Sequence, residues 1–347
     1  MPVAGPGARV RDDGGQDRGA PARAGRARDY WGAGRHRTLS RVKPLTRVVL
    51  FGAPIAVAAS VYFGGGGESL RPKDDPSLRV SPTAFAPDPL KAGSPSQQRE
   101  RDDRIDALPP GLADPAKKEI AAQLVASAEN STLDWKSQYG AIEDIGDGNG
   151  YTAGIIGFCS GTNDMLQLVE YFTDKRPDNP LAGYLPALRK VDGSDSHEGL
   201  GAPFEAAWAK TAEDPEFRKA QDVMRDRIYF DPAVRLAKMD GLSTLGQFIY
   251  YDAMVLHGPG LGADGFYGIR EAAMKAADTA AEGGDEKAYL NAFLDAGRTV
   301  IGRQKTEQTK DSSRIDTAQR VFLREGNMDL DTPLTWRVYG ETFRIGS

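Results

Sequence analysis

The pattern of hydrophobic positions changes near residue 109. Beyond it, apolar residues recur three or four apart over long stretches, the period of a helix with one buried face. Ile120, Ala121, Leu124, Val125 and Ala128 form the first such face. Asp114 and Pro115 precede it, a cap followed by a first helical residue with no N–H to leave unpaired. A second helix is predicted from near Thr162, carrying Met165, Leu166, Val169 and Phe172. The strongest pattern starts at Asp231-Pro232, passes through Leu242, Leu245, Phe248, Ile249, Ala253 and Val255, and stops at Gly258-Pro259-Gly260. Residues 269–281, 285–301 and 316–326 continue the helical theme. Strand signals are short: "GYTAGIIGF" suits part of a small sheet or a buried turn, and "TWRVYG" an edge strand. The expected class is mainly α with a minor β element, arranged as two lobes around a cleft.

Charge divides the chain at the same place. Residues 1–108 hold 18 Lys and Arg against 12 Asp and Glu, a net of +6, whereas residues 109–347 hold 26 against 37, a net of −11. Arg35, Arg37, Arg41, Lys43 and Arg47 precede an apolar run at residues 48–63, and Ala56-Val57-Ala58 offers a small-x-small cleavage point. That order predicts export, with residues 1–63 as a basic leader carrying a signal peptide; a retained signal anchor is the alternative, and only it would bring the membrane in as a partner. Residues 64–108, rich in Gly, Pro and Ser, read as a disordered linker. Residues 109–347 then form one domain of a size that folds on its own core. The single cysteine, Cys159, has no internal partner and reads as a small buried residue.

One stretch concentrates the candidate chemistry: "ENSTLDWKSQYGAIEDIGDGNGYTAGIIGF", residues 129–158, with Glu143, Asp144 and Asp147 on a glycine-rich turn. A calcium loop starting at Asp144 or Asp147 would need an acid at its twelfth position, where Ile155 or Phe158 stands. No Cys or His lies at zinc-ligand spacing. A phosphate cradle lacks the following Lys-Ser/Thr and would meet three repelling carboxylates. No G-x-S-x-G elbow supports a serine triad, and Ser160 reads as a cap or turn residue. Paired carboxylates remain. Glu129 lies in the last turn of its helix, where the dipole raises a carboxyl pKa, as a general acid requires. Asp147, between Gly146 and Gly148, can come close to a substrate or a water, and Thr152 offers a hydroxyl to orient that water. The same two acids also read as a solvated helix end and a turn-former, so the residues alone leave the choice open.

The segments "SAENSTLDWKSQYGAIEDIGDGNGYTAGIIGFCSGTNDML", "RDRIYFDPAV", "LGQFIYYDAMVLHGPG", "GGDEKAYLNAFLDA" and "DSSRIDTAQRVFL" resemble, in order, those of the glycoside hydrolase family 46 chitosanases. The resemblance covers residues 110–347. It implies a lysozyme-like, mostly α, two-lobed fold and endo-hydrolysis of β-1,4-linked glucosamine in chitosan; an acid and a base on different elements, with a hydroxyl to hold a water between them, predict an inverting displacement. By that resemblance Glu129 is the general acid, Asp147 the general base, and Thr152 helps hold the attacking water. Asp164 is implied to bind a glucosamine amine, with Tyr229 and His257 contacting sugar. Asp252 and Arg314 are implied members of a buried ion-pair network. Two positions depart from the pattern. Asn149 stands where a close relative can carry arginine, and Gly297 stands at the place of a network arginine, with Arg298 one residue later.

These readings make chitosan the expected partner, drawn as a polycation to an acidic domain. Trp135 and Tyr151 are possible stacking platforms for sugar rings as well as ordinary core residues. No cofactor, metal or nucleic acid is called for, and a secreted, extracellular monomer is expected. Two other functions share the features: a peptidoglycan-cutting muramidase with the same acid/base logic, and a non-catalytic surface module that binds cationic polysaccharide.

Overall fold

The computed structural model describes residues 93–303 and 310–346. The expected leader of residues 1–63 and the expected linker as far as residue 92 lie outside the described residues. The stretch read as linker ends in a helix instead. Ser94 and Gln97 form a capping box for α1 (Pro95–Asp106), which buries Ile105 and pairs Asp102 with Arg235. Composition suggested disorder here, but one capped turn and one apolar anchor suffice when a folded surface waits beside them.

Helix α2 (Pro115–Asn130) starts as expected, with the Asp114 carboxylate accepting from Ala116 N and Lys117 N. It ends where Ser131 turns left-handed, φ 48°. Three short strands follow, β1 (Ile142–Asp144), β2 (Tyr151–Ala153) and β3 (Phe158–Cys159), paired antiparallel in that order. The register sets Glu143 opposite Thr152, Asp144 opposite Tyr151, and Thr152 opposite Cys159. Gly146, Gly148 and Gly150, in the β1–β2 connection, have φ of 71°, 93° and 72°, which is why the turn is written in glycine.

Helices α3 (Asp164–Lys175), α4 (Leu185–Val191), α5 (Ala202–Thr211) and α6 (Pro215–Arg225) close over this sheet. Phe172, Phe204, Trp208 and Phe217 interlock at its centre, Trp208 meeting Phe217 edge-on with ring centroids 5.2 Å apart. A π-type turn, Asp226–Phe230, leads into α7 (Asp231–Met239).

The pattern expected as one helix from Asp231 to His257 is two. Gly241 reverses the chain at φ 75°, and Ser243 caps α8 (Thr244–His257) through Gly246 N. The apolar period survives this break because both helices bury a face against the same core. Helix α8 is buried along its whole length save Val255, as expected for a helix apolar on every side. Around it lie α9 (Phe266–Ala276) and α10 (Glu286–Ile301), whose Phe266 and Phe293 pack on Tyr250. A second π-type turn, Arg314–Gln319, precedes α11 (Arg320–Glu325).

The strand expected at "TWRVYG" is β4 (Leu334–Val338), and it forms a hairpin with a second strand that was not foreseen, β5 (Glu341–Ile345). Its two-residue turn places Tyr339 and Gly340 at positive φ, which matches the twist of the strands. On β4, Leu334, Trp336 and Val338 face inward, and Trp336 Nε1 donates to Ser127 Oγ at 2.9 Å. The hairpin thereby pins the last turns of α2.

The docking of α1 yields a first prediction. Ile105→Ala should lower unfolding free energy by about 2 kcal/mol, the low end for deleting a buried branched side chain, and leave kcat unchanged. Urea unfolding followed by tryptophan fluorescence, with activity measured in parallel, checks it.

Candidate active site

The end of α2 delivers Glu129 to the interior, 1% exposed. Its Oε1 accepts from Arg314 Nη1 at 2.7 Å. The same guanidinium turns its other edge to Asp252 on α8, Nη2 to Oδ1 at 2.7 Å and Nε to Oδ2 at 3.0 Å. Gln319 Nε2 donates to Asp252 Oδ2 at 2.5 Å. Arg314 and Gln319 stand on one π-type turn, whose extra residue per turn lets both side chains reach the same carboxylate. Two buried carboxylates thus share one buried cation.

That ratio shapes the proton chemistry. Burial raises the Glu129 pKa to about 7, Arg314 opposes the rise through charge and hydrogen bond, and the nearby Asp252 adds to it. The sequence argument attributed a raised value to the helix dipole, whereas the dominant cause is desolvation. Burial pulls the Arg314 pKa down, but its two carboxylates together outweigh this and hold it above its ordinary value. Glu129 Oε2, buried, has no hydrogen-bond partner among the described residues. One oxygen is therefore anchored and the other is left to carry a proton.

Asp147 occupies a different setting, half-buried on the glycine turn. Asn149 holds it from two sides, backbone N to Oδ1 at 2.9 Å and Nδ2 to Oδ2 at 2.9 Å. Burial raises its pKa, the Asn149 bonds oppose this, and the charge of Asp144 adds a smaller rise. Among the described residues no hydrogen bond joins Asp147 to Glu129. Thr152 is buried on β2, its Oγ1 3.4 Å from Cys159 Sγ. Burial pushes the Cys159 thiol well above its usual range, which leaves it inert as a nucleophile.

Asp164, at the start of α3, is buried, and its two oxygens are unequally engaged. Its Oδ1 accepts from Cys159 N, Thr162 Oγ1 and Met165 N, and its Oδ2 accepts from Tyr229 Oη at 2.8 Å. Burial nevertheless raises its pKa to about 6. Tyr229 rides on the first π-type turn, so both π-type turns carry side chains of this region. His257, at the end of α8, is also buried, and burial plus the Arg314 charge lower its pKa to about 3. It is a neutral neighbour of the ion pair.

The structure joins Asp252 and Glu129 through Arg314 and leaves Arg298 outside that cluster. That side chain is 59% exposed and pairs with Asp316 at 3.0 Å. One residue of offset on α10 is about 100° of rotation, which turns it to solvent and presents Gly297 to the interior. A Cβ on Gly297 would lie 3.7 Å from His257 Nε2. Two residues were not foreseen in these roles. Gln319 gave no sequence signal, since its partner is 67 positions away. Asn149 was noted only as a departure, although its place two residues after Asp147 is the spacing of a side chain that receives a local amide bond. Among the described residues, no three His, Cys, Asp or Glu side chains group as metal ligands.

Residues 123–334 match the family described as Glycosyl hydrolase family 46. The chain is 61% identical over 237 residues to the chitosanase of Streptomyces sp. (strain N174), covering 68% of this chain and 84% of that protein. Among solved structures it is similar to chitosanase OU01 crystallised with substrate, with a TM-score of 0.66 and 55% identity over 68% of this chain and 98% of that one. It is also similar to the Gynuella sunshinyii GH46 chitosanase in complex with chitotetraose, with a TM-score of 0.62 and 33% identity over 66% and 97% of the two chains.

Two outcomes follow from the buried charges. Arg314→Ala should destabilise the protein by ~3–5 kcal/mol and depress kcat, because it strands two carboxylates; denaturant unfolding and a rate assay check this. The second concerns Glu129, whose folded pKa of about 7 lies above its ordinary 4.5. Its contribution is complete below pH 4.5 and is lost as pH rises through 7, about 3 kcal/mol in all. Glu129→Gln cannot titrate. Unfolding measured from pH 4.5 to 8 should show the wild type losing stability relative to this variant, and parallel curves would refute the burial account.

Proposed function

The chain belongs to glycosyl hydrolase family 46, and we propose that it is an endo-acting hydrolase of β-1,4 glucosamine linkages in chitosan. The observation that carries this reading is Glu129: buried, held by Arg314 through Oε1, with a raised pKa and an unpartnered Oε2. A carboxyl group that keeps its proton near neutral pH, with the bare oxygen free to give it up, has the character of a general acid.

In the proposed reaction Glu129 Oε2 protonates the oxygen that leaves as the glycosidic bond breaks. Asp147, steadied by Asn149, takes a proton from the water that attacks the anomeric carbon, with Thr152 helping to hold that water. The water supplies OH to one sugar and, through the two carboxyl groups, H to the other. Afterwards Glu129 is ionised and Asp147 protonated, and exchange with solvent restores both. The two acids' separate anchoring fits a mechanism that leaves room for water between them, as inverting pairs do. Asp164, with Tyr229 on its carboxylate, is the proposed seat of one protonated amine, and His257, a neutral ring beside the Arg314 ion pair, is proposed to contact sugar. The net charge of −11 over residues 109–347 favours a cationic polymer over a neutral or anionic one.

We further propose that the enzyme acts outside the cell as a monomer, since its polymer substrate is met there. No helix among the described residues is long and apolar enough to cross a membrane.

The test is an assay with chitosan, chitin and peptidoglycan side by side, joined to a proton NMR time course on a glucosamine oligomer. Chitosan should be cut by far the fastest, and the α-anomer should appear first. Faster peptidoglycan cleavage, or β-anomer first, would overturn the substrate or the stereochemistry respectively. Glu129→Gln and Asp147→Asn should each lower kcat by roughly 10²–10⁴, the usual worth of a positioned acid or base.

A further inference from the structure

His197 stands outside the machinery described so far, on the loop between α4 and α5. It meets the start of the Asp147 turn on two sides. Its ring lies against Tyr151, centroids 4.3 Å apart and planes at 34°. Its Nε2, shielded from water, has Asp144 Oδ2 at 3.5 Å and no hydrogen bond. Asp144 and Tyr151 are register partners across β1 and β2, so their side chains share a face, and His197 covers that face.

The contact bears on the general base because Asp144 acts on the turn twice. Its Oδ1 accepts from Gly146 N at 2.7 Å, fixing the first bend before Asp147. Its charge also disfavours ionisation of Asp147. The loop that carries His197 cannot drift from the turn. Gly193 N donates to Gly161 O, Gly161 N donates to Asn149 O, and a Cβ on Gly161 would lie only 2.2 Å from Ser194 O.

We propose that His197, as a cation, is the positioning residue of the catalytic base: it holds and neutralises Asp144, and so keeps Asp147 both placed and ionised in acid. The proposal rests on Asp147 being the base. The charged and titratable groups around His197 come from neighbouring elements and from its own loop. Asp144 comes from β1, and Tyr151 from β2 with its hydroxyl given to Glu205 of α5. Asp195 and Glu198 belong to its own loop, Glu198 being paired with Lys190 of α4. A base must be ionised to work. With Asp144 uncompensated, Asp147 holds its proton to higher pH and activity fails earlier on acidification. The direction is therefore fixed: losing the His197 charge moves the acid limb of the rate profile upward.

The experiment is kcat and KM for a glucosamine hexamer from pH 4 to 8 in wild type, His197→Gln, His197→Lys and Asp144→Asn/His197→Gln, with Asp147→Asn as reference. Titration of the substrate's own amines is common to all variants and cancels in the comparison. His197→Gln should move the acid limb of kcat up by about half a pH unit, the scale expected between charges near a protein surface. That is a loss of about threefold below the limb, closing at higher pH where Asp147 is ionised in every variant, with KM little altered. His197→Lys should restore the wild-type limb. The double variant should restore it too, because Asn keeps the Oδ1 acceptor for Gly146 but lacks the repelling charge, an outcome no purely structural role produces. An unmoved limb in His197→Gln, or a limb that neither Lys nor the double variant restores, would overturn the proposal. Should His197→Gln fail to fold, the Lys variant against Asp144→Asn/His197→Lys decides it: an identical limb in these two overturns the charge argument. Persistent activity in Asp147→Asn would instead show that the base is another group, which separates failure of the premise from failure of the inference.

Discussion

Everything at the candidate acid depends on one guanidinium serving two carboxylates inside the protein. Arg314, Glu129 and Asp252 are each under 5% exposed in their side chains. With both acids ionised the cluster would carry a net negative charge in a medium of low dielectric, which is costly. The cheapest relief is a proton on one acid. Asp252 receives two bonds from Arg314 and one from Gln319, whereas Glu129 receives one. The proton accordingly settles on Glu129. The raised pKa of Glu129 comes first from burial, which the single bond from Arg314 offsets only in part, so the shared ion pair serves to specify a protonation state.

The fold is organised to hold that cluster still. Asp252 comes from the buried α8, Glu129 from the last turn of α2, and Arg314 and Gln319 from a π-type turn before α11. The β4–β5 hairpin braces α2 from the side through Trp336 and Ser127. Four segments remote in sequence therefore converge. None of them alone could bury a charge, because each lacks the partner that makes the burial tolerable.

The surroundings of Asp147, the proposed base, are built on the opposite plan. Asp147 sits on a glycine turn of a small three-stranded sheet, half-buried, and its bonds come from a residue two positions away. Local bonds suit a group that must stay ionised and reachable by water, while long-range burial suits one that must keep a proton. The contrast between the two carboxyl groups is a contrast between local and tertiary support.

That contrast also divides what was legible in the sequence from what was not. The start of α2 at Asp114-Pro115, the amphipathic faces, the glycine turn with Asp147 and the β4 strand were all readable, because each depends on residues within a few positions of one another. So were the candidate acid and base, through motifs that reproduce a family's order. The break at Gly241 was hidden because the apolar period continues on both sides of it. Helix α1 was hidden because its charged sequence forms a helix only against a surface supplied by α7. The outward turn of Arg298, the role of Gln319 and the physical origin of the Glu129 pKa needed the tertiary structure. Each is a matter of which groups meet after residues 60 to 190 positions apart are brought together, or of which side of a helix faces the core. The sequence determined which residues can do acid/base chemistry, and only the packing decided which of them loses its water and therefore holds the proton.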